Sequence, residues 1–247
     1  PEELKAETGN SWISFNSSSR FDMNSSKGSP YPRTSPFLSE WETMNPILGE
    51  YFAMSVPEQF NSIEREREYL KDLALCDVSA FPKIGIKGEG STEWLEEQGI
   101  KIPKGIYQYL ALPNNGLVVR LDRHEYFLEE GFEGVTVKRL SDVVGKETGR
   151  VFYFNRQDAG LLLCGNRALD VLQQSCSFDF SKDGSNLIMT QVAGVSCVIL
   201  PITGRFAPVF RIWLIPSYAI YLWRVLFEIV RDSNGHAVGM GSLRDLT

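Results

Sequence analysis

The sequence predicts an α+β fold of two pseudo-related subdomains, with antiparallel sheets and packed helices. One repeated device carries that reading. From Lys83 to Lys87 the residues alternate Lys-Ile-Gly-Ile-Lys, a period-two strand; Gly88 and Gly90 turn the chain, and Ser91 opens an acidic helix. The apolar run Gly160–Cys164 is likewise followed by Gly165, then by a helical segment with Asn166 at its start. The two turning glycines are too far apart for a solenoid repeat and suit two related halves of one domain. Two unrelated strand–helix turns would leave the same periodicity. A length of 247 residues with 43% hydrophobic residues suffices for one large core or two that share a wall.

Residues 1–47, rich in Ser, Asn and Pro without sustained periodicity, read as an extended, poorly structured segment. The main domain is expected over 48–232, its halves about 56–145 and 150–232, with 233–247 as a C-terminal tail. Asn61, with Glu64 three residues later, forms a capping-box pattern for a helix whose apolar face would hold Ile63, Leu70, Leu73 and Ala74. The next helix, entered at Ser91, turns Trp94 and Leu95 inward and stops at Gly99. Gly105–Leu112 reads as a strand ending in the turn Pro113-Asn-Asn-Gly116. Leu117–Leu121 and Glu125–Leu128 pair as a hairpin, and Val135-Thr-Val-Lys138 reads as more sheet. Val151–Phe154 opens the second half. In the helix after Gly165, Leu169, Leu172 and Cys176 share a face. Leu187–Val192 and Val195–Leu200 flank Gly194, Pro201–Pro208 reads as a loop and Val209–Leu214 as the last strand. The final helix, with Ser217 as cap, carries the stripe Ala219, Leu222, Trp223, Leu226, Ile229, Val230 before Gly235.

Charge and composition exclude several classes of function. A net charge of −6, with no Lys/Arg run, argues against nucleic acid. The longest apolar stretch, Val209–Trp223, is broken by Arg211 and Pro216 and is shorter than a membrane span. The four cysteines are scattered without a CxxC pair, so reduced thiols and a cytoplasmic location are expected.

Catalytic and binding motifs point to no site in this chain. Gly88-Glu-Gly90 begins like a dinucleotide fingerprint, but Glu93 stands where the third glycine belongs, and with Glu89 it would repel a pyrophosphate. The two histidines, His124 and His236, lack metal-ligand spacing. Gly239-Met-Gly241-Ser242 is not a nucleophile elbow. No catalytic, cofactor-binding or metal residue is therefore expected. Tyr218 and Tyr221, off the apolar face of the last helix, are the candidates for a partner surface.

The order Val56-Pro-x-x-Phe60, a glutamate-bearing helix, Leu75-Cys-Asp-Val-Ser79, Lys83-x-x-x-Lys87-Gly88 and an acidic helix resembles the aminomethyltransferase family. That is the folate-binding fold of the glycine-cleavage T-protein. Two later stretches, Gln157–Leu172 and Phe210-Arg-Ile-Trp213 with Pro216-Ser-Tyr-Ala-Ile-Tyr-Leu-Trp223, resemble the gamma subunits of heterotetrameric sarcosine oxidases. Together they cover most of residues 50–232. The resemblance departs from the family at one turn: where the folate-using enzymes have paired aspartates after a turn like Asn114-Asn-Gly116, this chain has Leu117-Val-Val-Arg120. The lysine-glycine-cysteine motif of the iron–sulfur-linked relatives has no counterpart, and the chain ends where the enzymes carry a C-terminal barrel.

The resemblance implies a non-catalytic subunit of a sarcosine-oxidase-like complex that oxidises a secondary N-methyl amine. Flavin, NAD, tetrahydrofolate and zinc would then lie in partner subunits. The alternative it implies is a stand-alone tetrahydrofolate-binding protein or aminomethyltransferase-like enzyme, and a soluble α+β domain with an unrelated binding role is a third.

Overall fold

The computed structural model describes residues 33–144, 150–180, 186–204 and 207–245, so most of the segment read as extended, 1–32, lies outside the described residues. The chain from Arg33 is already ordered into secondary structure. β1 (Arg33–Thr34) pairs in parallel with Met54 and Ser55, and α1 (Leu38–Trp41) buries Phe37 and Trp41. Residues 33–47 are therefore not an extended stretch. Their anchor is the buried carboxylate of Asp77, which accepts from the Ser35 hydroxyl and from Trp41 Nε1 at 3.1 Å.

β2 (Ile47–Tyr51) and β3 (Met54–Gln59) form a hairpin that completes a three-stranded sheet with β1. α2 (Ile63–Asp72) follows, capped by Ser62 rather than Asn61. The reciprocal bond of the expected capping box is made by Glu66, not Glu64: its buried carboxylate accepts from the amides of Phe60 at 2.5 Å and Asn61 at 2.9 Å. Leu73 ends this helix, and Ala74 begins β4 (Ala74–Asp77).

β5 (Lys83–Lys87) is buried at every position except Lys87, because both of its sheet faces are covered and it has a strand on each side. α3 (Ser91–Glu97) has Gly90, not Ser91, at its N-cap. It ends in a Schellman motif: Gly99, at φ +76°, donates to Glu96 and Ile100 donates to Leu95. β6 (Tyr109–Ala111), β7 (Leu117–Asp122) and β8 (Glu125–Glu129) form a meander. Val135-Thr-Val-Lys138 is not sheet but the start of α4 (Thr136–Val143). The Glu130 carboxylate accepts from the Val137 amide at 2.7 Å, and Val137 and Leu140 are buried one turn apart.

The second half repeats this order. β9 (Phe152–Arg156) and β10 (Ala159–Cys164) lead through Gly165 to α5 (Ala168–Ser175), whose cap is Arg167 rather than Asn166. β11 (Ile188–Val192) and β12 (Val195–Thr203) are joined by Ala193 and Gly194, both at positive φ, as a two-residue hairpin turn demands. β12 runs to Thr203 and β13 (Pro208–Leu214) begins at Pro208, so much of the expected 201–208 loop is strand. α6 (Ala219–Asp232) is capped by Tyr218, not Ser217, after a 3-10 turn, and buries Ala219, Leu222, Trp223, Leu226 and Val230. Of the expected tail 233–247, the described residues 233–245 are built into the fold. β14 (His236–Ala237) pairs in parallel with Ala74 and Leu75, and a 3-10 helix (Met240–Asp245) buries Met240 and Leu243.

The strand orders state the pseudo-symmetry. One sheet runs β6-β7-β8-β5-β9, the other β11-β12-β13-β10-β4 with β14 at its edge. Each meander thus lies beside the strand that precedes its helix, and the fifth strand comes from the opposite half. β4 belongs by sequence to the first half and pairs with β10, while β9 leads into the second half and pairs with β5. Gly88 and Gly165 take φ of +124° and +117°. A side chain at either would overlap a backbone carbonyl just ahead of the exchanged strand, that of Arg150 or Asp72.

The two sheets pack face to face through Leu117, Val119 and Phe127 on one and Leu200 and Trp213 on the other. Their outer faces are covered by α3 and α4 (Leu95, Val137, Leu140) and by α5 and α6 (Leu172, Leu222, Trp223).

Candidate functional site

A cavity of about 450 Å³ opens between the sheets. Its walls include Phe81 from the β4–β5 turn, Tyr109 from β6, Phe132 beyond β8, Leu162 from β10, Arg211 from β13 and Leu243 from the C-terminal 3-10 helix. At its rim, Asn114 and Asn115 adopt left-handed φ of 56° and 66°, and Gly116 and Gly131 allow two turns to cross where side chains would strike backbone. Phe81 and Phe132 meet edge to face at 5.0 Å between centroids, which fixes one aromatic wall.

Behind that wall lies a buried set of charges. Lys83 and Glu129 are register partners on β5 and β8, both facing the second sheet. Glu129 Oε1 lies 2.6 Å from Arg211 Nη1, and its Oε2 lies 3.5 Å from Lys83 Nζ. Trp213 Nε1 donates to that Oε2 at 2.5 Å. The Lys83 ammonium also donates to the carbonyls of Ser79 at 3.2 Å and Phe81 at 2.8 Å. Burial holds the Lys83 pKa below its ordinary value, with Glu129 opposing that shift. The Arg211 guanidinium stacks on Phe81, with its carbon 5.2 Å from the ring centroid. Glu129 and Arg211 meet without hydrogen-bond alignment, so Nη1 and Oε1 are both buried lacking one. Of the three groups, Arg211 alone lines the cavity.

The residues singled out in the sequence lie elsewhere. Tyr218 and Tyr221 are about half exposed, and neither lines the cavity; the Tyr221 hydroxyl donates to the Ala193 carbonyl at 3.1 Å. Glu89, beside Gly88, is paired with Arg150 at the surface. His236 stacks on Tyr69 at 3.7 Å between centroids. Val118 and Val119 are fully buried, and Arg120 donates to backbone carbonyls, Lys104 among them. Among the described residues no group of three or more His, Cys, Asp or Glu could hold a metal, and no helix is long and apolar enough to cross a membrane. The trio Lys83, Glu129 and Arg211 escaped the sequence reading. Its one signal there is an arginine inside the apolar run Phe210–Leu214.

No family model matches the chain. The glycine-cleavage-system aminomethyltransferase T of Bartonella henselae superposes with a TM-score of 0.68 at 19% identity, covering 87% of this chain and 61% of that one. The fold is that of the aminomethyltransferases. Curated aminomethyltransferases agree with it in sequence. That of Thermoanaerobacter sp. (strain X514) is 22% identical over 231 residues, and that of Alkaliphilus metalliredigens (strain QYMF) 24% identical over 226. Each match takes in 85% of this chain, which spans 61% of each relative's length. A weaker likeness, with a TM-score of 0.57 at 18% identity, links the aminomethyltransferase fold here to the heterotetrameric sarcosine oxidase of Corynebacterium sp. U-96. It covers 81% of this chain and 95% of that one.

Proposed function

We propose that this chain is a tetrahydrofolate-class ligand-binding protein on the aminomethyltransferase fold, without the transferase's proton chemistry. The observation that carries this reading is the cavity between the sheets. Its volume, about 450 Å³, falls within the roughly 300–1,000 Å³ typical of small-molecule sites, and its walls are mostly aromatic and aliphatic with one charged group. Phe81, Phe132 and Tyr109 offer faces and edges to a planar heteroaromatic ligand, and Arg211 offers N–H donors. The carboxylate behind them, Glu129, is held between Lys83 and Arg211 and makes a poor general base. Binding without transfer is the chemistry this arrangement favours.

Titration of the full chain with tetrahydrofolate tests it. At one hundred times Kd, linkage stabilises the folded state by about 2.7 kcal/mol. For a domain of this size that is a rise in Tm of roughly 5–10 °C. An unchanged Tm at millimolar tetrahydrofolate overturns the reading.

One observation favours a second reading, an accessory subunit of a sarcosine-oxidase-like complex: the likeness to that oxidase runs along 95% of its matched chain. Exposed Ile215, Tyr218, Ile220 and Tyr221 around the start of α6 would then meet a partner subunit. Flavin, dinucleotide and zinc would reside in the partners. The purified chain would be colourless, metal-free and inactive with sarcosine, yet would restore activity when mixed with those partners. Stoichiometric flavin or turnover by the chain alone rules this reading out.

A further inference from the structure

We propose that the cavity reads a single negative charge: Arg211 receives the carboxylate of a planar aromatic acid whose ring lies against Phe81 and Phe132. This rests on the cavity being the ligand site, and it sets which end of a ligand goes in first.

Charge balance is the first argument. Lys83 and Arg211 face one carboxylate, Glu129, and all three side chains are buried. Asp158, the next acid toward Lys83, is engaged by both Nε and Nη2 of Arg156. Arg33, which donates to the carbonyls of Phe52 and Ala80, adds positive charge in the neighbourhood of Lys83. Two basic groups thus share one buried carboxylate, and a buried charge without a full complement is unfavourable.

Geometry is the second. The Arg211 side chain is only 8% exposed, it lines the cavity, and its Nη1 is buried against Glu129 Oε1 at 2.6 Å, which fixes the guanidinium in place. Lys83 is already taken up by two backbone carbonyls and does not reach the cavity wall. The donors left for a ligand, Nε and Nη2, thus belong to a guanidinium, whose planar fork matches a carboxylate. With Phe81 stacked on one face of that guanidinium, an incoming carboxylate meets it edge-on, in the plane where the N–H groups point.

The test compares 4-aminobenzoate with the isosteric 4-aminobenzamide by calorimetric titration of the full chain, with tetrahydrofolate run alongside. We expect the acid to bind about tenfold or more tightly than the amide, the worth of hydrogen bonds to a charged group. Arg211→Gln should bring the ratio close to one, and Arg211→Lys should restore part of it, with circular dichroism confirming that both fold. Equal binding of acid and amide by the unmodified chain overturns the proposal whatever the variants do. If tetrahydrofolate still binds in that case, the cavity remains the ligand site and only the charge reading falls. A preference for the acid with no tetrahydrofolate binding supports the role of Arg211 and removes the tetrahydrofolate assignment. Binding of none of the three removes both.

Discussion

The indole of Trp213 donates to Glu129 across the two sheets, and these residues hold corresponding places in the two halves. Glu129 is the register partner of Lys83, Trp213 that of Gly160, and Lys83 and Gly160 stand equally far ahead of Gly88 and Gly165. The pseudo-symmetry axis thus passes beside this hydrogen bond. One half contributes an acid at that place and the other an indole, so the interior of a near-symmetric fold has become polar on one side.

Glu129→Gln should destabilise the protein by about 3–5 kcal/mol, because Lys83 and Arg211 would stay buried without their counter-ion. Urea denaturation should show a lower midpoint with an unchanged slope. A loss under about half a kcal/mol, the range of surface substitutions, would mean that the three groups are solvated.

Gly165→Ala should cost about 2 kcal/mol or more, from positive φ together with overlap on the Asp72 carbonyl. Gly99→Ala is the control. It has φ +76° but nothing within 4 Å of an added carbon, so only the backbone term of about 1 kcal/mol applies. Equal losses at both positions would show that the close approach at Gly165 carries no energy.

Leu226→Ala should lose roughly 2–5 kcal/mol. Leu226 is fully buried where α6 covers the larger sheet, and its truncation leaves a cavity among Leu222, Trp223 and Val230. Chemical denaturation measures the loss directly.

All four cysteines are free and buried. Burial raises the pKa of Cys76 and Cys164, and pushes that of Cys197 up to about 12. A thiol reagent at pH 8 should therefore label the native chain no faster than it unfolds, and should modify all four sites in denaturant. Rapid labelling of any one would reveal local opening at that strand or helix end.

Burial and the nearby Arg65 lower the pKa of His236 from its ordinary value of 6.5, with Asp72 opposing. The unfolded chain then binds the proton more readily than the folded one. The stability His236 contributes is present above about pH 6.5 and is lost as pH falls through the lowered folded value. The histidine is exposed, so the effect is small. His236→Gln should flatten the stability profile of the native chain between pH 7 and 5, and an identical slope in both proteins would discount it.

The fold was readable where one segment carries its own signal. The alternation around Ile84, the turning glycines Gly88 and Gly165, and the Leu222–Leu226–Val230 stripe all mark structure that local sequence specifies. The structure departs from these expectations where a partner outside the segment decides. Val135–Lys138 is β-branched enough to suggest a strand, but Glu130 caps it into a helix. Residues 236–243 lack periodicity because Leu75, Glu58 and Glu66 hold them. The site is the extreme case: its charges arrive from β5, β8 and β13, and no spacing in the chain announces that Lys83, Glu129 and Arg211 will meet.

The exchanged strands tie completion of each half to synthesis of the other. β4 leaves the ribosome long before β10 exists to receive it, and one edge of β5 waits for β9. The early half therefore stays unfinished, with β4 unpaired, until the later one is made. For the same reason, two fragments divided between the halves should be poor folders alone yet competent together, each carrying the strand the other lacks.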